Sequence, residues 1–365
     1  MRIGSRPSSG FLSWTIEKRL DAPRRLQFAI PAFSLVAALV TGAVFLALMG
    51  VSPFEAYSAM FRAAFGDGYG ISETLVKAIP LSMAAIAVML CFTMLVYNIG
   101  AEGQIFMGAI ASAAVVRYFP VDNAPAMLLT MAAAAGIAGG VWAAMAGYLR
   151  ARWNVNEIIS TLMLNYIAIH LMDYFVYGPW RDPASLGFPM TAPFPDAARL
   201  PLLFGTRIHM GLFAAVFLAV LFLVLIRYTR WGYEIRVLGE NPKAAGFAGI
   251  NYVRNVILVM FISGAIAGIA GMCEVSGLQG RLQHGFSAGY GFTAIIVAWL
   301  SRLNPIAILF VSVLIGALLV GGETLQIVMR LPLSSTLILQ GLILFFVLGG
   351  EIFRTYRIRF RREDA

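Results

Sequence analysis

Residues 96–109 read VYNIGAEGQIFMGA, and residues 277–292 read GLQGRLQHGFSAGYGF. Both stretches put glycines and polar side chains into a chain that is otherwise apolar for long runs. A helix crossing lipid needs about twenty such residues to span roughly 30 Å of hydrocarbon. Runs of that kind recur at roughly 27–50, 74–97, 101–118, 125–149, 156–177, 209–228, 252–277, 284–300, 304–321 and 335–352. Of 365 residues, 60% are apolar and 12% charged. Soluble domains carry about a quarter charged residues, so an ordinary cytosolic protein is excluded. The expected fold class is all-α: a polytopic helical membrane protein of about ten spans.

The long polar loop 178–208 leaves five segments on either side of it. Five is odd, so the two halves must be inverted relative to one another. In each half the third segment is short and preceded by a glycine-broken stretch, and these are the two stretches quoted above. Gly-interrupted segments at corresponding positions of two halves point to a transport site near the bilayer midplane. Irregular backbone survives at that depth only where protein buries it or a watery cavity receives it. Asn98, Glu102 and Gln104 can therefore line a cavity, with a helix restarting near Ala101. The other reading is a tight cytoplasmic turn joining two spans.

With both termini cytoplasmic, the inner stretches hold nineteen Lys and Arg and the outer ones seven. That excess is the signature of orientation in a membrane, and it accounts for the formal charge of +9 without nucleic acid. The domains expected are a cytoplasmic N-terminal segment (1–26), a transmembrane domain (27–352) and a basic cytoplasmic tail (353–365). The apolar run 27–50 is too long for a signal-peptide core, so it reads as an uncleaved first span.

Acidic residues inside spans cost about 2.5–3.5 kcal/mol each on insertion scales and so need a reason. Glu157, Thr161 and Asn165 fall at i, i+4 and i+8 and make one polar stripe on an apolar helix. The stripe suits either a share in the transport path or hydrogen bonding between helices. In FISGAIAGIAGMCEVSG (261–277), Gly264, Gly268 and Gly271 form a small-residue face for close helix packing, and Glu274 follows one turn later. Cys91 and Cys273 lie in apolar runs, and the three histidines are isolated. No metal site and no cofactor are expected. The chain also lacks G-x-x-x-x-G-K-[ST], so it has no P-loop of its own.

The longest inner loop, 229–251, contains VLGENPKAAGFAGI (237–250). Asn241 suits an N-cap, Pro242 the first helical position and Gly249 the stop, which predicts a short helix needing a partner to pack against. Together with YNIGAEGQ (97–104), NEIISTLMLNYIA (156–168) and GYGFTAIIVAWLSRLNP (289–305), this loop resembles permease subunits of bacterial ABC importers for simple sugars and nucleosides. These belong to the wider branched-chain amino acid and ribose permease superfamily, and the likeness runs in order over about 30–352.

The resemblance implies a complex of two permease subunits, identical or similar, two ABC ATPase subunits and an extracytoplasmic solute-binding protein. The complex would sit among the lipids of the bacterial inner membrane, with the substrate path between the permeases. It implies that the loop helix docks into an ATPase groove, a role carried by Gly239, Glu240, Asn241, Pro242, Ala244, Ala245, Gly246 and Gly249. Asn98, Glu102, Gln104, Glu157, Thr161, Asn165 and Glu274 are the residues expected along the substrate path. The chain itself would be no enzyme, and its solute a nucleoside or a simple sugar such as ribose. The six prolines of loop 178–208 suit a surface that receives the binding protein. A second reading is an ion-coupled secondary transporter using Glu102, Glu157 and Glu274 near the midplane.

Overall fold

The computed structural model describes residues 13–18 and 24–361. Of the expected N-terminal segment, residues 1–12 and 19–23 lie outside the described residues, as do 362–365 of the basic tail. In chain order the main elements are β1 (Ser13–Lys18), α1 (Arg24–Leu48), α2 (Pro53–Phe65), α3 (Gly68–Thr93), α4 (Ala101–Tyr118), α5 (Ala124–Trp153) and α6 (Glu157–Tyr177). After the long loop come α7 (Gly211–Tyr228), α8 (Arg230–Glu240), α9 (Pro242–Phe247), α10 (Tyr252–Cys273), a π-turn (Glu274–Gln279), α11 (Tyr290–Leu300), α12 (Pro305–Met329), α13 (Leu333–Thr355) and β2 (Tyr356–Arg361). Among the described residues the long regular elements are helices, and the strands form one short ribbon.

The chain divides into two compact units. In the unit built from the two ends, α1 packs against α13, with Ser34 opposite Gly350. Its strands β1 and β2 pair antiparallel, Ser13 with Arg361 through Lys18 with Tyr356. Residues Tyr57–Leu331 form the larger unit.

A helix lies at each of the ten apolar segments. Among the described residues six are long and apolar enough to cross a membrane: α3, α5, α6, α7, α10 with its π-turn, and α12. The bent pair Ala32–Leu48 and Pro53–Phe65 makes seven if counted as one span. At about 1.5 Å per residue, α11 reaches only about 16 Å. Its expected first turns are lost because Gly280, Gly285 and Gly289 take positive φ and keep 280–289 out of a helix. The expected count of ten spans is thus approximate, while the positions hold.

Side-chain caps fix most helix starts. Asp67 accepts from Gly70 N–H and starts α3 six residues before the expected boundary. Asn156, Asn241, Asn251 and Asn304 cap α6, α9, α10 and α12 in the same way, each using its own side-chain oxygen.

The halves are interlocked. In the larger unit α3 packs against α11 and α12, while its counterpart α10 packs against α4 and α5. The second helix of each half is thus embraced by the third and fourth helices of the other. Small residues permit the closest of these approaches: Gly264 and Gly268 of α10 lie on Gly139 of α5, and Gly271 lies on the backbone of Ile105 in α4. Of these six long helices α3 is the most deeply buried.

Candidate functional site

The stretch between α3 and α4 is irregular, as expected. Leu95 takes φ 55° after α3 ends, and α4 begins at Ala101. Asn98 is fully buried. Its Nδ2 donates to Gln104 Oε1 (3.2 Å) and Ser263 Oγ (3.0 Å), and its Oδ1 accepts from Gly100 N–H (2.9 Å) and Gln104 Nε2 (3.0 Å). Ser263 in turn donates to Ala87 O at 2.7 Å, so this knot ties α3, α4 and α10 together. Gln104 is 1% exposed and makes both of its amide bonds to Asn98.

The stripe on α6 faces this broken stretch along its length. Glu157 Oε1 accepts from Tyr97 N–H (3.3 Å), and its other oxygen pairs with Arg150 Nε (3.3 Å). Thr161 Oγ1 accepts from Ile99 N–H (3.2 Å). Asn165 accepts from Gly103 N–H and donates to Ile99 O, both at 2.8 Å. The match has a geometric cause. Four helical residues advance about 6 Å, close to the roughly 7 Å covered by two extended ones. Side chains at i and i+4 on α6 therefore meet the backbone N–H groups of residues 97 and 99. The stripe works as a splint for non-helical backbone, supplying the partners that lipid cannot.

Glu102 lies in the first turn of α4 and is 3% exposed. Its carboxylate accepts from Ser287 Oγ and from Gly291 N–H, each at 2.6 Å. Gly291 belongs to the first turn of α11, and a Cβ there would run into the backbone of Ala101 and Glu102. The two glycine-broken stretches thus meet, with the N-termini of two short helices brought against one carboxylate. Each N-terminus carries roughly half a positive charge and is aimed at this one side chain. One turn further along α4, Phe106 packs on Phe286 with ring centroids 4.8 Å apart, a second contact between the two stretches. Ser287 and Gly291 were not singled out from the sequence, although both lie within the second quoted stretch.

Glu274 stands at the start of the π-turn and is 1% exposed. Lys77 pairs with Glu323 at 2.6 Å, and Arg207 with Glu73 at 3.0 Å; both cations lie within electrostatic reach of Glu274. On the same side, loop 178–208 hydrogen-bonds along 276–284: Leu200 N–H to Ser276 O, Phe194 N–H to Gly280 O, and Thr191 N–H to Leu282 O. His284 Nδ1 lies 2.7 Å from Asp173 Oδ1.

The loop 229–251 forms α8 and α9. Asn241 Oδ1 accepts from the N–H groups of Lys243 and Ala244 at 3.1 Å, Pro242 holds the first turn, and Gly249 ends it at φ 76°. Glu240, Asn241, Pro242, Ala244, Gly246 and Gly249 are exposed. Ala245 is fully buried against the chain's own core, and Gly239 seats on Thr93 and Met94, where α3 gives way to the broken stretch. Phe247 is 96% exposed, a bare aromatic at the tip of the loop that the sequence reading passed over. Its position in a six-residue helix gives no periodic signal from which to infer its face.

The family described as "Branched-chain amino acid transport system / permease component" matches residues 70–348. The chain is similar to the glucose ABC transporter permease protein TsgB13 of Haloferax volcanii, with 36% identity covering 94% of this chain and 93% of that one. It is similar to the guanosine ABC transporter permease protein NupP of Bacillus subtilis, with 31% identity covering 92% and 97%. The nucleoside ABC transporter permease protein NupB of Lactococcus lactis is 29% identical, covering 80% of this chain and 83% of that protein.

Proposed function

The chain belongs to the branched-chain amino acid transport system permease family, and from that premise we propose how it serves as the membrane subunit of an ABC importer. The ATPase is a separate subunit, in keeping with the missing P-loop. Family membership displaces the ion-coupled reading.

The solute is a sugar or a nucleoside, the kinds named for the relatives. An extracytoplasmic binding protein delivers it at loop 178–208, and a second permease subunit completes the path. The complex lies in the cytoplasmic membrane with both termini inside. The pairing of β1 with β2 supports this by holding the two ends on one side, and the charge asymmetry supports the choice of side.

The ATPase groove receives α9 through Gly246 and Phe247, with Ala244 and the exposed rim of Glu240, Asn241, Pro242 and Gly249 around them, while Gly239 and Ala245 fasten the helix to its own subunit. Movement of α8 and α9 reaches the broken stretch through Gly239 on Thr93 and Met94. From there the Glu157–Thr161–Asn165 splint and the Asn98–Gln104 knot carry it to Glu102. In this reading Asn98, Gln104, Thr161 and Asn165 shape the path from behind, and Glu102 and Glu274 act nearer to it.

The observation that carries the reading is the meeting of α4 and α11 at Glu102, since it joins the two inverted halves at their broken segments. The test is co-reconstitution with the ATPase and binding protein in proteoliposomes. Uptake of labelled guanosine or glucose should require ATP and all three components. Uptake by the chain alone, without ATP, would sink the reading.

A further inference from the structure

Among the described residues, Glu274 has one carboxylate oxygen in a long hydrogen bond and the other in none. Gln279 Nε2 donates to Oε1 at 3.4 Å, and no described residue donates to Oε2, although Glu274 is 1% exposed. A buried acceptor left unmet is costly, so a donor is wanted at this position in some state of the protein. The carboxylate stands at the first position of a π-turn, a backbone form that recurs at functional sites. From it a polar ladder runs outward, with Gln283 Nε2 donating to Gln279 Oε1 at 2.8 Å. Both glutamines are part-exposed, so the ladder leads from the surface of the chain to Oε1 of the buried carboxylate.

The surroundings select the ligand's charge. Lys77 and Arg207 lie within electrostatic reach of Glu274, and each is already paired, with Glu323 and Glu73 respectively. With both cations offset by their own carboxylates, an anionic ligand would meet the Glu274 carboxylate itself. A neutral ligand offering hydroxyl hydrogens meets no such obstacle. A carboxylate can accept from two adjacent hydroxyls at once, and a carboxamide beside it can both donate and accept. The long Gln279 bond is readily exchanged for a shorter one from a hydroxyl.

Resting on the importer reading above, we propose that Glu274 and Gln279 read a vicinal hydroxyl pair on the sugar ring of the solute. The ring can come from a free sugar or from the ribose of a nucleoside. Gln279 holds the place of the solute while the site is empty, and the widened turn lets the carboxylate be uncovered.

The test uses the full complex in proteoliposomes, with labelled guanosine, D-glucose and 2′,3′-dideoxyguanosine as probes. The expected result is that Glu274→Gln raises KM for the transported diol-bearing probe by roughly 10- to 100-fold, and Gln279→Ala raises it by roughly three- to tenfold. Whichever of guanosine and glucose shows the effect identifies the source of the ring. Dideoxyguanosine uptake should be slow and indifferent to either substitution; because the binding protein is unchanged, its own preference cancels in each comparison. An unchanged KM in both variants would overturn the proposal, as would an equal loss for the dideoxy probe. Wild-type uptake that follows an imposed proton or sodium gradient at saturating ATP would assign Glu274 to a cation instead. If Glu274→Gln fails to assemble with the ATPase, Gln279→Ala decides alone. Absence of ATP-driven uptake in the wild type would count against the importer reading, not against Glu274.

Discussion

Asn98→Ala is the substitution whose consequence can be worked out most fully. Truncation removes four hydrogen bonds at a fully buried position. Ser263 keeps its bond to Ala87, so it is not stranded. Gln104 loses the partners of both its amide oxygen and its amide nitrogen, and Gly100 loses the acceptor for its N–H. A buried polar group left unmet costs about 1–3 kcal/mol, so three of them put the loss near 3 kcal/mol or above even with partial relaxation. Losses of that size have specific mechanisms, and this one can be isolated. Replacing Gln104 by Leu in the same chain removes two of the three stranded groups, so the double variant should recover much of the loss. The coupling between the sites should fall within about 0.5–3 kcal/mol. The assay is the thermal midpoint and membrane abundance of single and double variants, with uptake in parallel. If Asn98→Ala keeps the wild-type midpoint while uptake collapses, the residue faces a wet path and the knot is not what holds it.

Glu102→Gln puts an amide N–H toward either Ser287 or Gly291 and should cut uptake by about tenfold or more, with Ser287→Ala milder; uptake kinetics at matched abundance check the order. Gly246→Trp has open space around its Cβ, so it should leave the thermal midpoint in place while weakening co-purification with the ATPase, as should Phe247→Ala. Ala245→Trp, by contrast, should lower the midpoint itself, by about 1–3 kcal/mol of overpacking; equal midpoints for the Gly246 and Ala245 variants would refute the assigned faces. With Cys91 and Cys273 replaced, Ser185→Cys should react with an impermeant reagent from outside and Lys243→Cys only after permeabilisation; labelling of both from one side would undo the orientation.

Much of the helical layout is legible because length and apolarity are read residue by residue. The segments at 101–118 and 156–177 fall within a residue of α4 and α6. Where reading fails, local polarity misleads it: Asp67-GYGISE looks like loop, yet it is the capped first turn of α3. Amphipathic α2 carries no span-length apolar signal at all. For the site, spacing tells that Glu157, Thr161 and Asn165 share one face. It cannot tell that the face meets backbone from residues 97–103, because a period gives a direction and no partner. The pairing of Glu102 with Gly291 spans 189 positions, beyond any local pattern. Ala245 and Phe247, two residues apart with opposite burial, mark the same limit in a helix too short to show a stripe.

The interlocking of α3 with α11 and α12 has a consequence for how the chain is made. The ribosome finishes α3 long before the helices that will enclose it exist. Lys77 must wait 246 positions for Glu323. At about 5–20 residues per second that delay is roughly 10–50 s, during which Lys77 lacks its mature partner and has only Glu73, one turn earlier on α3, to offset it. The first half therefore cannot mature as an autonomous insertion product. It should stay at the translocon or with an insertase until the second half emerges, and a ribosome stalled before α12 should leave Lys77 within reach of such a factor's polar groove.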